Sequence, residues 1–230
     1  MGYTRQDIIS FCDKAITDIG TFYQQDIINY CGKSSDTDEL FTEIIAEYVL
    51  NHIDDFKCRI PMISRLSSYN INHDGSYREG TGRDEEIIAI KMFLQSKQEL
   101  QYEYIGQIID YQTPLKSKRS DLAGKIDLLS FDGKVLRVLE LKKPMSEETL
   151  LRCVLEAYTY LCTVDKKKLL GDFELPANTI VKASPFVFRN GEQWKEWNEH
   201  RPMLKKLMDE LDSKTYFINE IENKYKIMEV

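Results

Sequence analysis

Asp127, Glu140 and Lys142 are the residues whose types and spacing point to chemistry. Carboxylates are the donors that hard divalent cations such as Mg2+ and Mn2+ prefer. An ammonium group beside them can offset negative charge growing on a bound oxyanion. The three need elements that bring them together, and they lie in the stretch 121–144, DLAGKIDLLSFDGKVLRVLELKKP. There, two largely apolar runs, 125–131 and 134–142, flank Asp132-Gly133. An Asp-Gly pair in that setting is a strong hairpin signal, so the stretch predicts two antiparallel strands.

A two-residue turn pairs Phe131 with Lys134 and, counting outward, Leu129 with Leu136, Asp127 with Val138 and Lys125 with Glu140. Side chains alternate along a strand, so Asp127, Leu129, Leu136, Val138, Glu140 and Lys142 share one face. That face is apolar near the turn and charged at its far end. Diagonal neighbours in an antiparallel pair lie roughly 7–8 Å apart, within reach of one shared cation. The plain alternative is that Glu140 and Lys142 form the solvent side of an amphipathic strand. Val135, Leu136, Val138, Leu139 and Leu141 are apolar on both faces, which suits a strand covered on each side. Charges at the end of such a strand are costly unless paired or bound to metal.

At these residues the sequence resembles the PD-(D/E)XK nuclease superfamily. The signature of that family is an aspartate early in one strand, a hairpin, then (Asp/Glu)-x-Lys late in the next, here Asp127 and Glu140-Leu141-Lys142. Its exonuclease-like and resolvase-like branches also carry a glutamate on a helix before the sheet, matched within Gly82-Arg83-Asp84-Glu85-Glu86. A Gln-x-x-x-Tyr motif follows on a later helix, here Glu156-Ala157-Tyr158-Thr159-Tyr160, with glutamate in place of glutamine. The resemblance spans about 80–190. It implies an α/β fold with a restriction-endonuclease-like core, a mixed central β-sheet flanked by helices, preceded here by an N-terminal helical extension. It further implies Mg2+ or Mn2+ as cofactor, with Asp127, Glu140 and Glu86 as ligands and Lys142 in catalysis rather than folding. Hydrolysis of DNA to leave a 5′-phosphate follows from the same resemblance, with Glu156, Tyr160, Lys143 and Arg152 bordering the substrate. The rival expectation is a nucleic-acid-binding or protein-interaction module on the same scaffold without hydrolysis. Against it, an intact Asp, Glu and Lys set clusters expensively without a metal.

Only one of the adjacent Glu85 and Glu86 can face the sheet. Glu86 is expected to do so, because Ala89, Ile90 and Phe93 continue its helical stripe, although acidic residues are also favoured at a helix N-terminus by the dipole.

The chain of 230 residues has no run near the roughly 18 apolar residues of a membrane span, and MGYTRQDIIS lacks a secretory profile. No membrane association and a cytoplasmic location are expected. Five cysteines at irregular spacing read as buried thiols rather than a disulfide or zinc framework. The net charge of −7 argues against nonspecific coating of nucleic acid. Most of the acidity lies in residues 1–60, with 5 Lys or Arg against 11 Asp or Glu. Within 116–143, by contrast, eight basic residues (Lys116, Lys118, Arg119, Lys125, Lys134, Arg137, Lys142, Lys143) outnumber Asp121, Asp127, Asp132 and Glu140. A basic rim around a carboxylate pocket is what a phosphodiester needs.

Two domains are expected: 1–75, a helical hairpin (about 4–31 and 38–56) and its connection, lying outside the core, and 76–230, the nuclease-like domain. The Ser-, Asn- and Gly-containing segment 60–83 reads as a long connection and candidate lid. A short helix over 84–94, a strand over 104–114 and a helix over 147–164 with Arg152, Glu156 and Tyr160 on one stripe complete the site. Downstream, 178–188 reads as a strand whose Pro185 suggests an edge or bulge. A helix over 192–212, kinked near Pro202, carries Trp194 and Trp197, and 214–230 adds a final strand.

Overall fold

The hairpin is present as β2 (Lys125–Phe131) and β3 (Val135–Leu141), but its register differs from a two-residue turn. Phe131 pairs with Leu136 and Leu129 with Val138. The Asp132 carboxylate accepts the amides of Lys134 and Val135 at 2.9 and 2.8 Å and meets Arg137 at 2.7 Å. Gly133 takes φ +94°, where a side chain would be strained. These contacts draw two more residues into the turn. Because strand side chains repeat every second residue, the slip leaves Leu129, Leu136, Val138 and Glu140 on a common face.

The computed structural model describes residues 2–77, 83–98, 100–116, 124–222 and 224–229. Gly82, Lys118, Arg119 and Asp121, which figure in the expectations above, lie outside them. A six-stranded sheet runs in chain order: β1 (Gln107–Pro114), β2, β3, β4 (Ile180–Phe188), β5 (Tyr216–Ile221) and β6 (Lys224–Glu229). The first three strands form an antiparallel meander, β3, β4 and β5 are parallel, and β6 returns antiparallel on β5. The fold is therefore α/β with a mixed sheet flanked by helices and an N-terminal helical part, as expected.

Parallel neighbours need crossovers. The first uses α5 (Leu150–Thr163) and α6 (Lys166–Asp172), the second α7 (Glu192–Asn198) and α8 (Pro202–Glu210). The anticipated kinked helix is thus two helices, with Pro202 opening the second at a position where its missing N–H costs nothing. Trp194 and Trp197 cover Phe217 at ring distances of 4.6 and 5.9 Å. Pro185 lies in a central strand rather than at an edge. The Phe186 carbonyl faces β3, where it accepts the Lys142 amide, so by alternation Pro185 turns its donorless nitrogen toward β5, just before that ladder begins at Phe186. The final segment makes two strands, β5 and β6, instead of one.

Helix α4 (Asp84–Lys97) covers one face of the sheet, where Ala89, Ile90, Met92 and Phe93 meet Leu128, Leu139, Leu141 and Phe186. The other face carries Leu129, Leu136 and Val138 under α5. The N-terminal segment is α1 (Arg5–Ala15), 3-10 turns over Ile16–Gln24 and Asp26–Asn29, then α2 (Phe41–Asn51) and α3 (Ile53–Arg59). The two expected helices do pair, but they do not stand outside the core: Ile8, Phe22, Ile28, Ile45 and Val49 belong to the same buried cluster as β2, β3 and α5. The connection after α3 is also tied down, with Ile63 donating its amide to Thr163, Tyr69 fully buried and its amide donated to Asp172. From Ile63 through Tyr69 it is anchored at Ile63, Arg65 and Tyr69, with Leu66 exposed between them.

All five cysteines are free; Cys12 and Cys153 are buried, while Cys31 and Cys58 are exposed, against the expectation that all would be interior. Among the described residues no helix is long and apolar enough to cross a membrane.

Candidate active site

Strands β2 and β3 part company beyond the Leu128–Leu139 pair. Asp127 turns into the wedge so formed and its Oδ2 accepts the Leu141 amide at 3.0 Å, while its Oδ1 accepts from Gln112 Nε2 at 2.8 Å. One step further along β3, Glu140 is 4% exposed; its Oε1 accepts from Lys142 Nζ at 2.7 Å. Glu140 Oε2 is buried and accepts no hydrogen bond from any described residue.

Lys142, itself 6% exposed, is enclosed by carboxylates. Besides Glu140, its ammonium lies 2.6 Å from Glu148 and 3.2 Å from Glu156. Helix α5 delivers the last of these because Thr149 caps its first turn by accepting the Arg152 amide. Its stripe then aligns as the sequence suggests: Arg152 bonds Glu148 at 3.0 Å and approaches Glu156 at 3.8 Å, and Tyr160 donates to Glu156 Oε1 at 2.9 Å. Tyr23, from the N-terminal 3-10 turn, reaches Tyr160 hydroxyl to hydroxyl at 3.4 Å. Arg152, Glu156 and Tyr160 therefore form the wall around Lys142.

The open part of the site is a cleft lined by Arg83, Asp84, Glu85, Glu86, Gln112, Lys125, Asp127 and Lys143. Glu86, expected to face the sheet, lines this cleft and pairs with Arg83, the residue before its helix, at 3.3 Å. Glu85 makes the connection: its Oε1 accepts the Lys143 amide at 3.1 Å, and Lys143 Nζ reaches Asp84 at 3.2 Å. A second concavity of about 570 Å³, largely apolar, lies behind Tyr23 and Tyr160.

Burial, reinforced by the Glu85 charge and opposed by Lys142, raises Asp127 to about 7, although its side chain remains partly open to the cleft. Burial also raises Glu140, with Asp127 and Glu156 adding to the effect. For Lys142, burial favours the neutral amine, but the surrounding Glu140, Glu156 and Glu148 outweigh it and the ammonium is held above its usual range. The site thus has a fixed cation and a carboxylate pair that resists being doubly charged.

A hard divalent cation fits this donor set: Asp127 retains a lone pair on each oxygen, and Glu140 Oε2 is a buried acceptor without a donor. Among the described residues, no three His, Cys, Asp or Glu side chains cluster closely enough to form a ready-made metal cage. Two protein ligands with the rest supplied by water and substrate is the usual arrangement for Mg2+. Gln112, Glu148 and Tyr23 escaped the sequence reading, and Glu85 was weighed there but set behind Glu86. Glu85, Gln112 and Tyr23 meet neighbours distant in the chain, whereas Glu148 meets Lys142 and Arg152 close by, through the turn that leads into α5.

Comparison of the chain with protein families, with curated proteins and with solved structures found no match.

Proposed function

We propose that this protein is a divalent-metal-dependent nuclease that hydrolyses DNA phosphodiester bonds at the mouth of the β2–β3 wedge. The observation that carries the reading is the convergence of Asp127, Glu140 and Lys142 at one end of two neighbouring strands, with Glu140 Oε2 buried and unpartnered by any described residue. A buried acceptor left empty costs about 1–3 kcal/mol, more when charged, and a bound cation removes that cost. Asp127 and Glu140 would hold Mg2+ or Mn2+, which supplies polarisation of the scissile phosphate and acidification of a water. Glu85 and Glu86 both stand on the cleft beside Asp127, and Glu85 is the one fixed by the Lys143 amide.

The chain's own groups divide the remaining work. Lys142 is held protonated, so it acts as a fixed positive charge toward the phosphate and not as a base. Glu148, Glu156 and Tyr160 fix its position. Lys125, Lys143 and Arg83 stand on the cleft where phosphates flanking the scissile bond would pass. The cleft lining carries four carboxylates against three cations, so a polyanion meets an unfavourable field until a divalent ion enters. That balance supports a metal-dependent reaction. DNA as the substrate rests on the family resemblance.

A second reading, a nucleic-acid-binding or interaction module without hydrolysis, draws on the three carboxylates that already pair with Lys142. The deciding experiment incubates purified protein with linear and circular DNA, single- and double-stranded, in Mg2+, Mn2+ or EDTA, beside Glu140→Gln. Cleavage that requires metal and is lost in the variant is expected. Cutting of linear DNA alone marks an exonuclease, and nicking of circles an endonuclease. DNA binding without cleavage in either metal favours the module.

A further inference from the structure

Gln112 sits in the middle of β1, where Tyr111 pairs with Leu128 and Thr113 with Ile126, so the register sets it opposite Asp127. Its φ is +47°. A strand residue ordinarily keeps a strongly negative φ, and a side chain makes the left-handed region unfavourable. Strain of this kind persists where surrounding structure over-determines it, and it concentrates at functional sites. Here the backbone is held by paired residues on both sides, and the strained turn brings the Gln112 amide onto Asp127 Oδ1 at 2.8 Å. With Leu141 holding Oδ2 at 3.0 Å, both oxygens of the carboxylate are fixed in direction.

Glutamine suits such a task for a chemical reason. Its amide donates a hydrogen bond without bringing charge, so the carboxylate is oriented with no cation competing for its lone pairs. Lysine or arginine at the same point would compete with a cation. The β1–β2 ladder does not need the side chain, because backbone pairing continues on either side of it.

We infer that Gln112 is a positioning residue: its strained backbone aims the amide at Asp127 and holds that carboxylate in the orientation that presents its remaining lone pairs to a divalent cation. The inference rests on the metal-site reading proposed above, and it assigns a role to a strand whose residues neither composition nor motif singles out.

Mn2+ titration by calorimetry and thermal melts in EDTA test it on the wild type, Gln112→Gly, Gln112→Ala and Asp127→Asn. Glycine removes the amide and the strain together. Gln112→Gly is expected to melt in EDTA at or above the wild-type temperature yet to bind Mn2+ about 10-fold more weakly or worse, the scale of losing a partner that orients a metal ligand. Gln112→Ala should lose similar affinity while keeping the strained conformation, so it should melt no higher than Gln112→Gly. Opposite movement of stability and affinity is something a merely structural residue does not produce. If both variants bind Mn2+ with wild-type affinity while Asp127→Asn loses it, Gln112 does not position the ligand and the metal site stands. If Gln112→Gly melts lower with affinity unchanged, its role is structural and the inference is overturned. If the wild type does not bind Mn2+, or Asp127→Asn binds it equally well, the metal-site reading fails and the inference falls with it.

Discussion

Lys142 is where burial alters an expectation drawn from residue type. From sequence it should serve catalysis alone, so that Lys142→Met would leave the melting temperature unchanged. The structure surrounds its ammonium with Glu140, Glu148 and Glu156 at 2.7, 2.6 and 3.2 Å, two of them in the interior. Removing one partner of a buried ion pair typically costs about 3–5 kcal/mol because the other charge is left uncompensated. Lys142→Met is therefore expected to lower the melting temperature at pH 8 and to do so less at pH 5, where the freed carboxylates can take up protons. An unchanged melting temperature at both pH values would show that these pairs contribute no stability. Asp127 adds a second pH effect. The folded protein keeps its proton up to about pH 7, whereas the unfolded chain releases it at about 4. The folded state thus binds the extra proton within that window, and its contribution makes the metal-free protein less stable as pH rises from about 4 to 7, with no further change above. A metal must displace the same proton, so Mn2+ affinity should climb with pH up to about 7 and then level off. Calorimetric titrations at several pH values measure this directly; an affinity independent of pH below 7 would remove Asp127 from the ligand set.

At the scale of elements, the site is a meeting of strand ends with two helices, α4 and α5, and its tolerance is set by close packing. Gly124, just before β2, shows how close. A Cβ there would come within 2.1 Å of the Tyr160 hydroxyl oxygen, and Tyr160 has no free direction to move, being held by Glu156 and Tyr23. Overpacking of this kind costs about 1–3 kcal/mol. Gly124→Ala should lower the melting temperature by several degrees and loosen the Glu156–Tyr160 contact that backs Lys142. Adding Tyr160→Phe removes the nearest clashing atom and should recover part of the loss. If the double variant is no more stable than Gly124→Ala alone, the clash is not what the substitution introduces.

The whole molecule binds its acidic N-terminal third into the core that carries the site. Ile8, Ile28, Ile44, Ile45 and Val49 are at most 2% exposed and belong to one cluster with Leu129, Val138 and α5. At about 1.5–3 kcal/mol for each buried side chain, these five alone contribute about 10 kcal/mol. That is comparable to the roughly 5–15 kcal/mol total stability of a typical domain. Deleting residues 2–60 should consequently yield a chain without a cooperative thermal transition, whatever its remaining resemblance to a nuclease. Recovery of a folded 61–230 fragment by circular dichroism would instead show that the core closes without the N-terminal segment. The same segment supplies Tyr23 to the wall behind the site, so the boundary between extension and core is not one of function either.

The sequence by itself determined what depends on neighbours close in the chain. Alternation placed Leu129, Leu136, Val138 and Glu140 on a common face, and a slip of two residues in the turn could not alter it, because the strand period is two. Helical spacing likewise put Arg152, Glu156 and Tyr160 on one stripe. What only the tertiary structure decided depends on pairings distant in the chain. Glu85 is tied to Lys143 by where α4 begins relative to the end of β3, and Pro185 is tolerated centrally because β5 starts late. Gln112 meets Asp127 through the β1–β2 register, in which Ile108 and Asp110 fall on either side of a bulge. Local patterns carry the period of a strand or helix, but not the point at which one element meets another. That point is set by packing across the sheet, and the site is built there.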